Sequence, residues 1–162
     1  MQEKLIKDGY VYHIRDLYFE MAKDNMLMRN HEDGAYRPTY LCLQDEKTGL
    51  FWAIPMSTRI FKFKPIIDKD TEKYGRCVKM LIGRYGDKES VFLFQNMFPI
   101  TAKYIDHIHT IGGKPVAVEL NVKRKIIRTF KECLRLHKRG VKVIFTNIEQ
   151  LEQLMLTDWN ES

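Results

Sequence analysis

Two hydroxyls followed directly by cations, Ser57-Thr58-Arg59 with Lys62 and Lys64 close behind, are the residues of this 162-residue chain whose types and spacing best suit chemistry. Hydroxyl groups donate to and accept from phosphate oxygens, and neighbouring ammonium and guanidinium groups stabilise the charge that gathers there. Two apolar segments, 39–43 and 50–56, flank Asp45-Glu46-Lys47-Thr48-Gly49, and Gly49 is free to take the positive φ of a bulged turn. The pattern predicts a hairpin. The start of its first strand lies beside the end of its second, so Tyr36-Arg37 is expected next to Ser57-Thr58 and to cations that no acid neutralises.

Cutting an RNA linkage without a metal needs three kinds of group around one phosphate. A base takes the 2′-OH proton, cations stabilise the doubly charged phosphorane, and an acid protonates the departing 5′-oxygen. Tyr36, Arg37, Ser57, Thr58, Arg59 and Lys62 have the side chains for these roles. The same residues also read as a plain turn beside a solvated basic edge, because polar clusters mark sites only statistically.

Asp106-His107-Ile108-His109 would put two imidazoles on one face of a strand, but no third ligand accompanies them at metal-site spacing. They stay outside the catalytic set, as structural or surface histidines. Segment 122–139 carries Lys123, Arg124, Lys125, Arg128, Lys131, Arg135, Lys138 and Arg139 against a lone Glu132. Charge segregated in this way would track a phosphate backbone, or mark no more than an exposed helix. Phe51, Trp52, Phe61 and Phe63 are base-stacking candidates that alternation also assigns to a core, whereas Phe92, Phe94 and Phe98 read as core.

The elements that must position these groups follow from periodicity and turn chemistry. Segment 10–14 reads as a strand, 15–28 as a helix with Leu17, Met21 and Met28 on one face, and Asn30 to Gly34 as a break. Pro65 argues for a loop after 61, followed by a helical turn or two. Strands are expected at 77–82 and 90–95, joined through Tyr85-Gly86-Asp87-Lys88. Val122, Ile126, Ile127, Phe130, Cys133, Leu134 and His137 recur at helical spacing, with Gly140 as the cap. Segment 141–145 reads as a strand and Asn147 as the cap of a last helix. Segment 100–119 fits no pattern beyond a turn at Gly112-Gly113. The whole is expected to be one α+β domain, residues 1–162, on an antiparallel sheet.

Composition sets the class. Hydrophobic residues at 44% and charged residues at 30% are those of a globular protein, and 27 Lys and Arg against 21 Asp and Glu favour an anionic partner, nucleic acid before a membrane surface. Cys42, Cys77 and Cys133 are odd in number and show no CxxC spacing, which suits core thiols in a reducing cytoplasm. No apolar run is as long as a membrane span, and MQEKLIKDG lacks a signal-peptide core. P-loop, dinucleotide, GxSxG and zinc patterns are all missing.

PMSTRIFKFK at the hairpin's end, preceded by YRPTYLCLQ, resembles the toxins of type III toxin–antitoxin systems, the ToxN/AbiQ superfamily, and within it the CptN-like branch. IDKDTEKYGRC, FQNMFPIT and DHIHT, in that order, extend the resemblance over most of the chain. It implies a compact twisted antiparallel sheet with surrounding helices, akin to the MazF/Kid toxins. It implies a metal-independent, sequence-selective endoribonuclease that needs no cofactor and leaves 2′,3′-cyclic phosphate and 5′-hydroxyl ends. Its partner would be an RNA antitoxin of short pseudoknot repeats, which the toxin cuts from a precursor and then holds in a closed protein–RNA assembly.

Ser57 and Thr58 match the family's hydroxyl pair, and Tyr36 and Arg37 stand near its tyrosine and basic residue. The position two residues after the pair, where many relatives carry a lysine, holds Ile60; Lys62 is the first choice in its place and Lys64 the second, on the ground that Lys62 shares a strand side with Thr58. Lys64, Lys123, Arg124, Lys125, Arg128, Lys131 and Arg135 are the expected RNA contacts. A non-catalytic RNA- or DNA-binding module using helix 122–139 is the alternative.

Overall fold

Alternation along the central hairpin dictates the layers. Strands β4 (Thr39–Gln44) and β5 (Phe51–Ser57) are almost wholly buried. Tyr40, Cys42, Ile54 and Met56 enter one core, whereas Leu41, Phe51 and Ala53 enter another. A strand apolar on both faces must be covered on both, and each large side chain so buried contributes about 1.5–3 kcal/mol. The computed structural model describes residues 6–161, and side chains for residues 6–158; the first five residues of the polar N-terminal stretch lie outside the described residues.

Around the hairpin lie β1 (Val11–Ile14), β6 (Met80–Tyr85), β7 (Lys88–Leu93), β8 (Phe98–Ile100) and β9 (Ile105–Ile108). They make a seven-stranded antiparallel sheet in the order β6-β7-β5-β4-β1-β9, with β8 also paired to β5. Short hairpins β2 (His31–Glu32) with β3 (Ala35–Tyr36), and β10 (Thr110–Ile111) with β11 (Lys114–Pro115), stand off the sheet. Helix α3 (Leu120–Lys138) covers one face through Ile126, Phe130 and Cys133. On the other lie α1 (Asp16–Ala22), whose Tyr18 is buried, and α4 (Ile148–Glu161), which contributes Leu151 and Met155. Helix α2 (Ile60–Tyr74) inserts Phe63 against Met80, Val91 and Leu93. The expected α+β sheet fold is the observed one.

The central hairpin forms as read, with Gly49 at φ 76°. Gly140 sits at φ 86° just beyond α3, and the Asn147 side chain accepts from the Gln150 N–H at 3.2 Å to cap α4. Phe92, Phe94 and Phe98 are buried, and the three cysteines are free.

Other segments differ from expectation: the strands expected at 77–82 and 90–95 are Met80–Tyr85 and Lys88–Leu93, turning at Gly86-Asp87. Residues 61–74 are helix, not loop: Pro65 lies on the exposed side of α2, so the one bond it withholds leaves only the exposed Phe61 carbonyl to water, while Phe63 anchors the other side. Residues 141–145 join no ladder: their backbone bonds run from the Val141 N–H to the Leu136 carbonyl at 3.0 Å, from the Val143 N–H to the Val141 carbonyl at 3.0 Å and from the Phe145 N–H to the Gln95 carbonyl at 2.7 Å. Helix α1 stops at Ala22, where Lys23 turns left-handed at φ 50°, and Leu17 is exposed where it was expected on the buried face. Asp33 and Gly34, both at positive φ, close the β2–β3 hairpin where only a break was read.

Candidate functional site

Everything of chemical interest at the sheet end stems from one junction. Strand β5 runs out at Ser57 and the chain turns straight into α2, with the Ser57 hydroxyl accepting from the Arg59 N–H at 3.2 Å. No acidic residue lies in the first turn of α2, so its partial positive charge is not offset from within. Thr39 pairs with Pro55 and the Met56 N–H donates to the Pro38 carbonyl at 3.0 Å, which brings Tyr36-Arg37 to the same end. The expected convergence is present.

Strand alternation splits the convergence into two clefts. The larger, about 480 Å³, is lined by Arg37, Ser57, Arg59 and Lys62 together with His31 and Glu32. The smaller, about 290 Å³, is lined by Tyr36, Thr58, Ser90 and His109. Glu32, Asp33, Arg37 and Ser57 line both, so the β5 terminus is a ridge between them.

The cations are not all unneutralised, as the sequence had suggested. Arg37 is buried and fixed: its guanidinium donates to the Arg29 carbonyl at 2.7 Å, the Met56 carbonyl at 3.0 Å and Glu32 at 2.8 Å. Burial lowers its pKa below the arginine norm, and Glu32 opposes that shift. Arg59 pairs with Glu32 as well, and approaches Asp33 at 3.7 Å. Lys64 is paired with Asp68 at 2.9 Å along α2 and lines neither cleft. Lys62, alone of these, pairs with no carboxylate among the described residues; its ammonium stands 5.3 Å from the Phe63 ring centroid. The preference for Lys62 over Lys64 therefore rests on this exposure to the cleft, and strand alternation, the original ground, does not apply inside a helix.

Four of the five histidines meet beside this junction, which the sequence did not foretell. His13 on β1 lies opposite His107 on β9, their rings stacked at 4.5 Å. Nε2 of His13 is 2.8 Å from Nδ1 of His109. The Tyr36 ring lies 5.6 Å from His13, 6.0 Å from His107 and 4.3 Å from His31. Burial, then the imidazoles of His107 and His109, bring His13 down to about 4 against a weaker upward pull from Asp106; burial and His107 also lower His109. His107-x-His109 was the available signal, but His13 lies 94 residues before His107 and only sheet order joins them.

On α3, Arg124, Lys125, Arg128, Lys131, Arg135 and Lys138 are exposed, as is Arg139 just past its end, while Lys123 is half-buried. Glu132 pairs with Arg76 and, at 3.6 Å, with Arg135. Phe61 is 81% exposed beside Lys62, whereas Phe51 and Phe63 are buried and Trp52 packs on Phe130 at 5.7 Å. No helix among the described residues is long and apolar enough to cross a membrane.

No known protein-family profile matches the chain. No curated protein sequence matches it either. The seven-stranded antiparallel sheet and the four α-helices of the described residues are nonetheless a known architecture: the chain has the fold of ToxN/AbiQ-type toxins of type III toxin–antitoxin systems. It is similar to AbiQ, a lactococcal anti-phage endoribonuclease of that system type, at 14% identity and TM-score 0.69 over 96% of this chain and 100% of that one. A bacterial type III toxin that is selectively inhibited by a non-coding RNA pseudoknot matches at 13%, TM-score 0.69 and the same coverage. A bacterial antiviral system regulated by a processed non-coding RNA matches at 14% and TM-score 0.70 over 92% of this chain and 98% of that one. At these identities the likeness is one of fold.

Proposed function

We propose that this chain is a cytoplasmic, sequence-selective endoribonuclease toxin, a single domain that cuts RNA without a metal and is restrained by a pseudoknot RNA antitoxin it processes itself. The observation that carries the reading is the ridge at the β5–α2 junction, where Ser57, Arg37 and the unpaired Lys62 border one cleft in a fold shared with such enzymes. A phosphate over Ser57 would meet its hydroxyl, the start of α2 and the Lys62 ammonium, which together stabilise the pentavalent phosphorane. Thr58 and Tyr36 border the other side of the ridge, and Arg59 supplies charge once Glu32 yields. The exposed Phe61 gives a neighbouring base a ring to stack on. The products are a 2′,3′-cyclic phosphate and a 5′-hydroxyl. Free thiols at all three cysteines accord with a reducing compartment.

Lys62→Ala is the test. Cleavage of RNA and growth inhibition should fall about 10²- to 10³-fold, with RNA affinity nearly kept. Cleavage and affinity falling together would point instead to a binding module built on α3.

A further inference from the structure

The ridge reading leaves open which group takes the proton from the attacking 2′-hydroxyl. In-line displacement at phosphorus places the attacking and departing oxygens on opposite sides of the phosphate, so base and acid must approach from opposite sides too. Ser57 lines both clefts, and the two candidate groups are divided between them: Lys62 borders one, His109 the other. We infer that His109 is the general base of this protein, held by His13, and that Lys62 is its acid. The inference rests on the endoribonuclease reading above.

Three observations converge on His109. It borders the cleft shared by Tyr36, Thr58 and Ser57. Its Nδ1 is engaged by Nε2 of His13 at 2.8 Å, which leaves Nε2 as the nitrogen available to substrate. His13 is itself buried, stacked on His107 and edged by Tyr36, so its ring is a fixed support. In the tautomer that serves a base, the shared hydrogen is on Nδ1 of His109 and His13 accepts it. His13 has the property this needs, because burial and two adjacent imidazoles keep it neutral.

The step balances. Nε2 of His109 takes the 2′-OH proton as the 2′-oxygen bonds to phosphorus. The bond from phosphorus to the 5′-oxygen breaks, and that oxygen takes a proton from the Lys62 ammonium. Imidazolium and amine then exchange protons with water.

The groups facing His109 are His13 on β1, His107 on β9, Tyr85 on β6 at 6.0 Å, and across the cleft Tyr36, Arg37, Glu32 and Asp33. Burial and His107 lower its pKa, so the base form prevails at neutral pH. Activity should therefore climb with pH to a plateau reached before neutrality, and fall away below as His109 protonates.

The test is single-turnover cleavage of an RNA oligonucleotide across pH by the wild type and by His109→Gln, His109→Ala, His13→Gln, Ser57→Ala and Lys62→Ala. His137→Gln, remote and paired with Glu149 at 2.5 Å, is the control. His109→Gln should lose about 10²- to 10⁴-fold in rate with unchanged RNA affinity and without the acid limb. Added imidazole should restore part of the rate to His109→Ala, an outcome a merely structural role would not give. His13→Gln, a positioning change, should lower the saturated single-turnover rate at constant RNA affinity and keep the limb. If Ser57→Ala and Lys62→Ala abolish cleavage while both His109 variants keep wild-type rate and pH profile, the assignment of His109 is overturned and the ridge stands. If the wild type cleaves no RNA, both fall.

Discussion

The sheet-end ridge and the outer face of α3 are both rich in Lys and Arg, yet they hold their cations differently. On α3, arginines and lysines point into water from successive turns, and Glu132 answers only Arg135 among them. At the ridge, Arg37 is locked by two backbone carbonyls and Glu32, Arg59 is held by the same carboxylate, and Lys62 pairs with no carboxylate among the described residues. A row of solvated charges binds any polyanion, with a strength set by salt. Fixed, directional donors around a hydroxyl discriminate by geometry instead. Under the proposed function, attraction and chemistry therefore occupy separate parts of the molecule, and each is open to removal without the other.

Arg37→Met should have the largest consequence, on the fold itself. It strips partners from the Arg29 and Met56 carbonyls and half-orphans Glu32, which should lower unfolding free energy by roughly 3–5 kcal/mol, read by urea denaturation. Unchanged stability would mean that Arg37 is no anchor of the ridge. Replacing Arg124, Lys125, Arg128 and Lys131 by Gln should leave folding alone and flatten the slope of log affinity against log salt by about 3–4. RNA saturated onto that variant should still be cut at nearly the parent rate, and a collapse in saturated rate would erase the distinction between the regions. Lys64→Ala should do least: its exposed pair with Asp68 contributes about 0.3–0.5 kcal/mol, and its cleavage rate should stay far closer to the parent than that of Lys62→Ala.

What could be read from residues was whatever depended on neighbours in the chain. The hairpin around Gly49, the α3 periodicity and the Asn147 cap are local patterns, and each is found in the structure. Convergence of Tyr36-Arg37 with Ser57-Thr58 followed from the hairpin alone. Pro65 misled because a local rule against helix was outweighed by Phe63 packing beneath the sheet wing. Asp33-Gly34 was visible as a turn, but flanking strands of two residues each gave no alternation to mark a hairpin. The histidine cluster and the pairing of Arg37 and Arg59 with Glu32 depend on sheet order and side-chain placement, which no spacing in the chain encodes.

Glu32 makes the ridge selective in a further sense. By seating its carboxylate between two guanidiniums, the β2–β3 hairpin installs a resident decoy where a phosphate would otherwise settle. Stray phosphate ions and unstructured polyanions must evict that occupant while offering little beyond charge. A ligand that also fills both clefts replaces the lost pairing with shape, so under the proposed function the site would stay idle among the cell's many anions until a strand of the right form arrives.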